Sequence, residues 1–236
     1  MMINKITFIP TKKEVELMVD PPKPAKLCIP KWFKDIPAVN EKNVEISFNG
    51  MPDTNLKNCM PFFDSLVSGY IQETWSDIVV QKDKDGDITY NQSSSMSPTI
   101  MNHREKTHMP ISNSFYDFEF VWNQVWIPKL PDGYSYLFLN PLNRVDLPFY
   151  TSSAIVDADK VNYSTQGSIP FYIKKDFVGI IPKGTPMYQM IPFKRQSWAM
   201  SLEEYDEELT VKGVSKLRSK FVGYYKDNYW SKKEHN

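Results

Sequence analysis

Hydrophobic residues in this chain recur mostly at every second position, the spacing of strands buried on one face. Ile3–Pro10 alternates in this way, with Ile6 and Phe8 on one side and Thr7 and Ile9 on the other. Glu14–Val19 repeats the alternation over a shorter span. Tyr70–Gln81 reads as one long strand, turned at Lys84-Asp85-Gly86-Asp87 and returning at Ile88–Tyr90. Phe115–Ile127 sets Phe118, Phe120 and Trp122 against Asp117 and Glu119, which predicts a half-buried strand. Pro131-Asp132-Gly133 then turns into Tyr134–Leu139, its partner in a hairpin or a sandwich. Thr151–Ala158 is strand-like. Gln166-Gly167 turns into Ser168–Trp198, where apolar runs at Phe171–Ile173, Phe177–Ile181 and Met187–Phe193 flank the turn Pro182–Pro186. That stretch reads as the last strand pair of a β core, with Gly184 as turn residue and Gln189 inside the final strand.

Helical spacing is confined to short segments. Asp20-Pro21-Pro22-Lys23-Pro24 forces an extended connector. Ile29–Pro37 predicts one helical turn between prolines, with Trp32, Phe33 and Ile36 as its apolar face. Asn40–Thr54 is polar, with a hairpin-type turn at Asn49-Gly50. Asn55 caps a helix that runs through Ser68, with Pro61 in its first turn and Gly69 as its stop. Near the end, Ser201 and Glu204 form a capping box, and Leu202 and Tyr205 begin a short acidic helix. Val211, Val214, Leu217, Phe221 and Tyr225 form the apolar stripe of a second helix, whose polar face is basic.

Strands fill the middle and helices gather at one end. This predicts a mainly β fold: a sandwich, jelly roll or β-clip-like barrel with short helices and a C-terminal helical segment, an α+β fold being the alternative. Residues 1–200 are expected to form one β-rich domain. Residues 201–236 are expected to form a helical extension packed on it or on a partner.

Composition narrows the function classes. Aromatic residues make up 14% of the 236 residues, which suits a strand-rich core or an adhesive surface. Lys plus Arg and Asp plus Glu both total 28, so the basic excess of a general nucleic-acid binder is missing. Cys28 and Cys59 are too few for a disulfide framework and read as reduced thiols. No apolar run is long enough for a membrane span, and the opening MMINKITFIPTKKEVEL lacks the apolar core of a signal peptide. A protein retained in the cytoplasm where it is made is the expectation.

Few residues offer chemistry. Asp83, Asp85 and Asp87 alternate like the start of a calcium loop, but Ile88 and Ser94 stand where that loop needs Gly and Glu, so a solvated turn is expected. His103, Glu105 and His108 are the one supply for a metal centre such as a cupin's. Five residues between the histidines place them off one helix face and on opposite sides of a strand. No metal and no cofactor is expected. Asn143, Arg144 and Asp146 form a polar cluster between apolar runs: either a loop satisfied by an Arg144–Asp146 pair, or an anion or ligand contact. Asp157 and Asp159 end the strand that follows. No nucleophile–histidine–acid spacing, phosphate-binding loop or HExxH is present, which leans away from an enzyme.

Two resemblances extend this reading. The ordered motifs IPKWFKDIP, CMPFFDSLVSGY, PDGYSYLFLNPLNRVDLPF, IVDAD, IPFYI and IPKGTPMYQMIPFKRQSW resemble an uncharacterised protein family of T4-like tailed phages of marine bacteria. That resemblance implies a phage origin: a component of the virion, or a protein acting in the host cytoplasm. A more local succession is similar to the later motifs of the dUTPase and dCTP-deaminase group, which have a β-clip fold. It comprises Arg144, then Ile155–Asp159, then Lys183-Gly184-Thr185-Pro186-Met187-Tyr188-Gln189-Met190-Ile191. On that likeness Arg144 contacts phosphate, Asp157 orients a catalytic water and Gln189 supports the site; Asn143, Asp146 and Asp159 complete the candidate ligand-binding residues. The chain departs from the group where Lys160-Val161-Asn162 replaces Tyr-Arg-Gly and where Val145 replaces Ser.

The first expectation is therefore a non-catalytic phage protein, structural or binding a host factor, with phage proteins, host proteins or its own copies as partners. A nucleotide-binding protein or nucleotide pyrophosphatase using Arg144 and Asp157 is the alternative.

Overall fold

A computed structural model describes residues 4–38, 55–92, 97–104, 113–160, 167–218 and 223–236. The polar segment with Asn49-Gly50, the Ser-rich stretch after Gln92, and Gln166 lie outside the described residues. The chain divides into two compact units, one of Met1–Ala25 and Gly69–Arg195, the other of Lys26–Ser68 and Gln196–Asn236.

The first unit opens with β1 (Thr7–Pro10), helix α1 (Lys13–Met18) and the short strand β2 (Lys23–Pro24). The second unit holds α2 (Lys31–Asp35) and α3 (Met60–Val67). The first resumes with β3 (Tyr70–Glu73), β4 (Ile78–Lys82), β5 (Ile88–Gln92), β6 (Ile100–Arg104), β7 (Glu119–Gln124) and β8 (Trp126–Lys129). It continues through β9 (Tyr134–Leu139), β10 (Phe149–Thr151), β11 (Ala154–Val156), β12 (Gly167–Ile173), β13 (Gly179–Ile181) and β14 (Pro186–Lys194). Helices α4 (Glu207–Arg218) and α5 (Tyr224–Asn228) belong to the second unit.

The fold is mainly β with short helices. Its strands form four antiparallel sheets, ordered β10-β12-β7-β6, β11-β9-β14-β3-β2, β13-β4-β5 and β1-β8, and among the described residues none closes into a barrel. One apolar core joins side chains from the three larger sheets, including Ile78, Trp122, Phe138, Phe171, Ile181 and Met190. At its centre the Trp122 and Phe171 rings stack at 3.6 Å between centroids, and Phe149 meets Trp122 edge-on at 5.0 Å. Trp122 and Phe171 are diagonal neighbours on paired strands, since Trp122 faces Ile169 and Phe120 faces Phe171.

Strand β7 is buried on both faces, not one. Its polar residues are bonded instead of solvated: Glu119 accepts from the Tyr172 hydroxyl at 3.2 Å, and Asn123 donates to the Pro98 carbonyl at 2.8 Å. Strands β7 and β9 sit in different sheets and so do not form the hairpin that was one of the two arrangements expected. The alternation at Glu14–Val19 proves to be a helix turn. Val15 and Val19, four residues apart, are buried against Val125 and Trp126, while Leu17 and Met18 face outward.

The long strand expected at Tyr70–Gln81 breaks at Thr74. Strand β3 pairs with β14 and β4 pairs with β13, so one two-stranded ribbon bends from the five-stranded sheet into the three-stranded one. Ser168–Trp198 is accordingly not one hairpin: β12, β13 and β14 enter three sheets. Gly69 precedes β3 with φ +72, and a Cβ there would lie 2.0 Å from the Met190 carbonyl oxygen, so only glycine fits.

In the second unit, Phe33 stacks on Phe62 at 5.8 Å and Phe63 at 6.2 Å, with Leu66 and Val67 buried beside them. Asn55 accepts the Leu56 N–H at 2.7 Å and so caps a separate turn at Leu56–Asn58, not the single helix expected through Ser68. The C-terminal tail joins this cluster: the Trp230 indole N–H and the Lys233 ammonium both donate to Asp64, at 2.9 and 2.7 Å. The capping box at Ser201 does not form. Residues 201–206 carry no helix, and Asp206 is the cap, accepting the Leu209 N–H at 2.9 Å. Gly223, at φ +89, precedes α5 and separates it from α4.

Candidate functional site

The polar residues singled out by sequence fall at the two ends of β9. Loop 140–148 leaves the Leu139 end. Asn143 adopts φ 59 in a tight turn closed by the Arg144 N–H on the Pro141 carbonyl at 3.1 Å, a conformation asparagine tolerates well. Three contacts anchor the loop. Gln189 accepts the Leu142 N–H at 2.9 Å, Asn140 accepts the Thr151 N–H at 3.1 Å, and Lys174 donates to the Val145 carbonyl at 2.7 Å.

Arg144 and Asp146 form a two-pronged ion pair, with Nε to Oδ1 and Nη2 to Oδ2 both at 2.9 Å. The Arg144 side chain is 13% exposed and Asp146 42%. The loop borders a cleft of about 560 Å³ lined by Phe115, Tyr150, Asn143, Arg144 and Lys174 among others. The Arg144 fork faces a carboxylate of its own loop, so its charge is neutralised in place. Gln189 is almost fully buried and works as a strut under the loop.

Asp157 and Asp159 lie at the Tyr134 end. Arg195, just past β14, gathers them: its guanidinium donates to Asp157 at 3.2 Å and to Asp159 at 2.9 Å, with a second bond from Nη2 to Asp159. It also donates to the Tyr134 carbonyl at 2.9 Å and to the Ser135 hydroxyl at 3.0 Å. Ser135 donates to Asp157 at 2.6 Å, and the Gly133 N–H donates to Asp159 at 2.9 Å. The hydrogen bond from Arg195 holds the Asp159 carboxyl well below the usual carboxylate range, against the opposing effect of burial, and the Gly133 N–H adds to it. A carboxylate so held is a weak base, and the cluster reads as a clamp closing the β9–β14 edge.

Arg144 and Asp157 therefore do not share a pocket within the chain. Strand β9 separates them by on the order of 15 Å, at about 3.3 Å per residue. Arg195 is the residue sequence reasoning passed over. A carboxylate pair such as Asp157 and Asp159 calls for a cation, but only the register that sets Lys194 opposite Tyr134 supplies it.

Other candidates resolve locally. Asp83 accepts the N–H groups of Asp85 at 2.9 Å and Asp87 at 3.0 Å, so the alternate aspartates make a hairpin turn. The His103 side chain, Glu105 and His108 lie outside the described residues. Among the described residues no group of three His, Cys, Asp or Glu is placed to hold a metal ion, and Cys28 and Cys59 form no disulfide. No helix among them is long and apolar enough to cross a membrane.

No known protein family matches the chain, and no curated protein matches it.

The second unit carries a run of exposed apolar side chains. Beyond Arg195, Trp198, Met200 and Leu202 are 86%, 88% and 85% exposed. Tyr205, Leu209, Val211 and Val214 continue the exposure into α4.

Proposed function

We propose that this chain is a non-catalytic protein that works by holding other protein chains, as a component of a phage particle or on a host factor. The observation that carries the reading is the run of exposed large apolar residues from Trp198 to Val214. Two further features support it. The charged residues that most resembled a catalytic set are bonded to one another in two separate clusters. Equal numbers of acidic and basic residues, 28 of each, leave little repulsion between copies or partners. The phage resemblance of the ordered motifs makes the virion the first place to look.

Mass spectrometry of purified particles of the encoding phage tests this directly. The chain is expected there at a fixed ratio to the major structural proteins. A chain absent from particles, running alone in infected-cell extract and releasing pyrophosphate from a nucleotide would overturn the reading.

A further inference from the structure

The segment beyond β14 and the open edge of the β13-β4-β5 sheet have matching features. Trp198, Met200 and Leu202 occupy alternate positions, so in an extended backbone they share one face. The segment itself carries neither helix nor strand. Among the described residues strand β13 pairs with β4 on one side only. It exposes Ile180 at 58%, with Val178 at 55% before it and Val79 at 38% directly opposite Ile180 on β4. Beside it lies a pocket of about 340 Å³, lined by Phe177, Ile180, Pro182 and Lys174 among others, roomy enough for an indole.

We propose that Trp198–Tyr205 is an exchange arm that adds to the β13 edge of a second copy of this chain, with Trp198 as the anchor in that pocket. This rests on the binding-protein reading above and names its partner. Charge favours a second copy. Five of the six residues Glu203–Glu208 are acidic, while Lys174, Lys175 and Lys183 flank β13 against Asp176 and the Asp146 that lines the same pocket. Area favours it too. The arm's two aromatics, Trp198 and Tyr205, present roughly 300–500 Å² between them, Met200 and Leu202 add to that, and in a reciprocal exchange each copy contributes its β13 edge as well as its arm. A standard interface takes about 800 Å² from each partner. Backbone pairing at an open edge supplies the affinity of such additions, and alternate side chains supply the specificity. Reciprocal exchange closes a two-fold dimer.

Sedimentation of the full chain and two surface variants tests the arm and the edge separately. The wild type is expected at twice the 27.5 kDa chain mass. Trp198→Asp, which spoils the arm, and Ile180→Lys, which spoils the edge, are each expected at one chain mass with unchanged melting. Mixing the two variants is expected to restore a two-chain species, because the intact arm of one meets the intact edge of the other. Val178→Lys replaces Ile180→Lys should the latter lose its melting transition. A monomeric wild type, a variant that keeps the wild-type mass, or a mixture that stays monomeric would each overturn the exchange. The presence of the chain in particles answers the broader reading independently.

Discussion

Thr74 and Thr185 bind each other where the ribbon changes sheets. The Thr74 N–H donates to the Thr185 carbonyl at 2.9 Å, and the Thr185 N–H donates to the Thr74 hydroxyl oxygen at 3.0 Å. The Thr74 hydroxyl in turn donates to the Pro182 carbonyl at 2.8 Å. Both residues are buried, so the two bends at Thr74–Asp77 and Pro182–Thr185 are one structure.

Replacing Thr74 by valine keeps the shape and removes both side-chain bonds, while the Thr185 N–H keeps the Pro182 carbonyl at 3.2 Å and that carbonyl keeps the Thr185 hydroxyl at 2.6 Å. The expected loss is about 1–3 kcal/mol in urea unfolding. Thr89→Val, on the exposed hairpin, is expected to stay within about 0.5 kcal/mol. Equal effects would remove the corner's special role.

Trp122→Ala empties the centre of the core and strips Phe171 of its stacking partner and Thr151 of the indole N–H it accepts at 3.0 Å. An expected cost of about 3–5 kcal/mol follows from deletion of a large buried ring. A loss below about 1 kcal/mol would mean that the three larger sheets do not share one core.

Tyr188 is fully buried, and its hydroxyl has no partner among the described residues, so burial raises its pKa. Tyr188→Phe removes a desolvated group at no loss of packing. Stability is expected to hold or to rise by up to about 1 kcal/mol. A clear loss in thermal unfolding would show that the hydroxyl is bonded in solution.

Arg195 lowers the Asp159 pKa in the folded chain, so the clamp's contribution is complete above the ordinary unfolded carboxylate value of about 3.9. It is lost as pH falls further, toward the depressed folded value. Asp159→Asn should lower the melting temperature at neutral pH and narrow its gap from wild type in strong acid. A gap independent of pH would remove the ionic account.

Much of the fold was legible because alternation or a short apolar run marks a strand: β12 sets Ile169, Phe171 and Ile173 at alternate positions, and β9 and β14 fall on apolar runs. What escaped depends on distant partners. Glu14–Val19 alternates, yet Val15 and Val19 also suit a helix, and Trp126 decides between them. The break at Thr74 needs Thr185. Arg144 with Asp146 was readable at two residues' separation, whereas Arg195 with Asp159 spans thirty-six and waits on strand register. The union of residues 26–68 with the C-terminal tail rests on Asp64, Trp230 and Lys233, which no local pattern connects.

The central claim is that the exposed run beyond Arg195 serves association and not folding. The most direct measurement is the size at which tagged chain elutes from infected-cell extract, wild type beside Trp198→Ala/Met200→Ala/Leu202→Ala. Wild type is expected in a species larger than the 27.5 kDa chain, and the triple variant alone at that size with unchanged circular dichroism and melting. Identical elution of the two would contradict the claim.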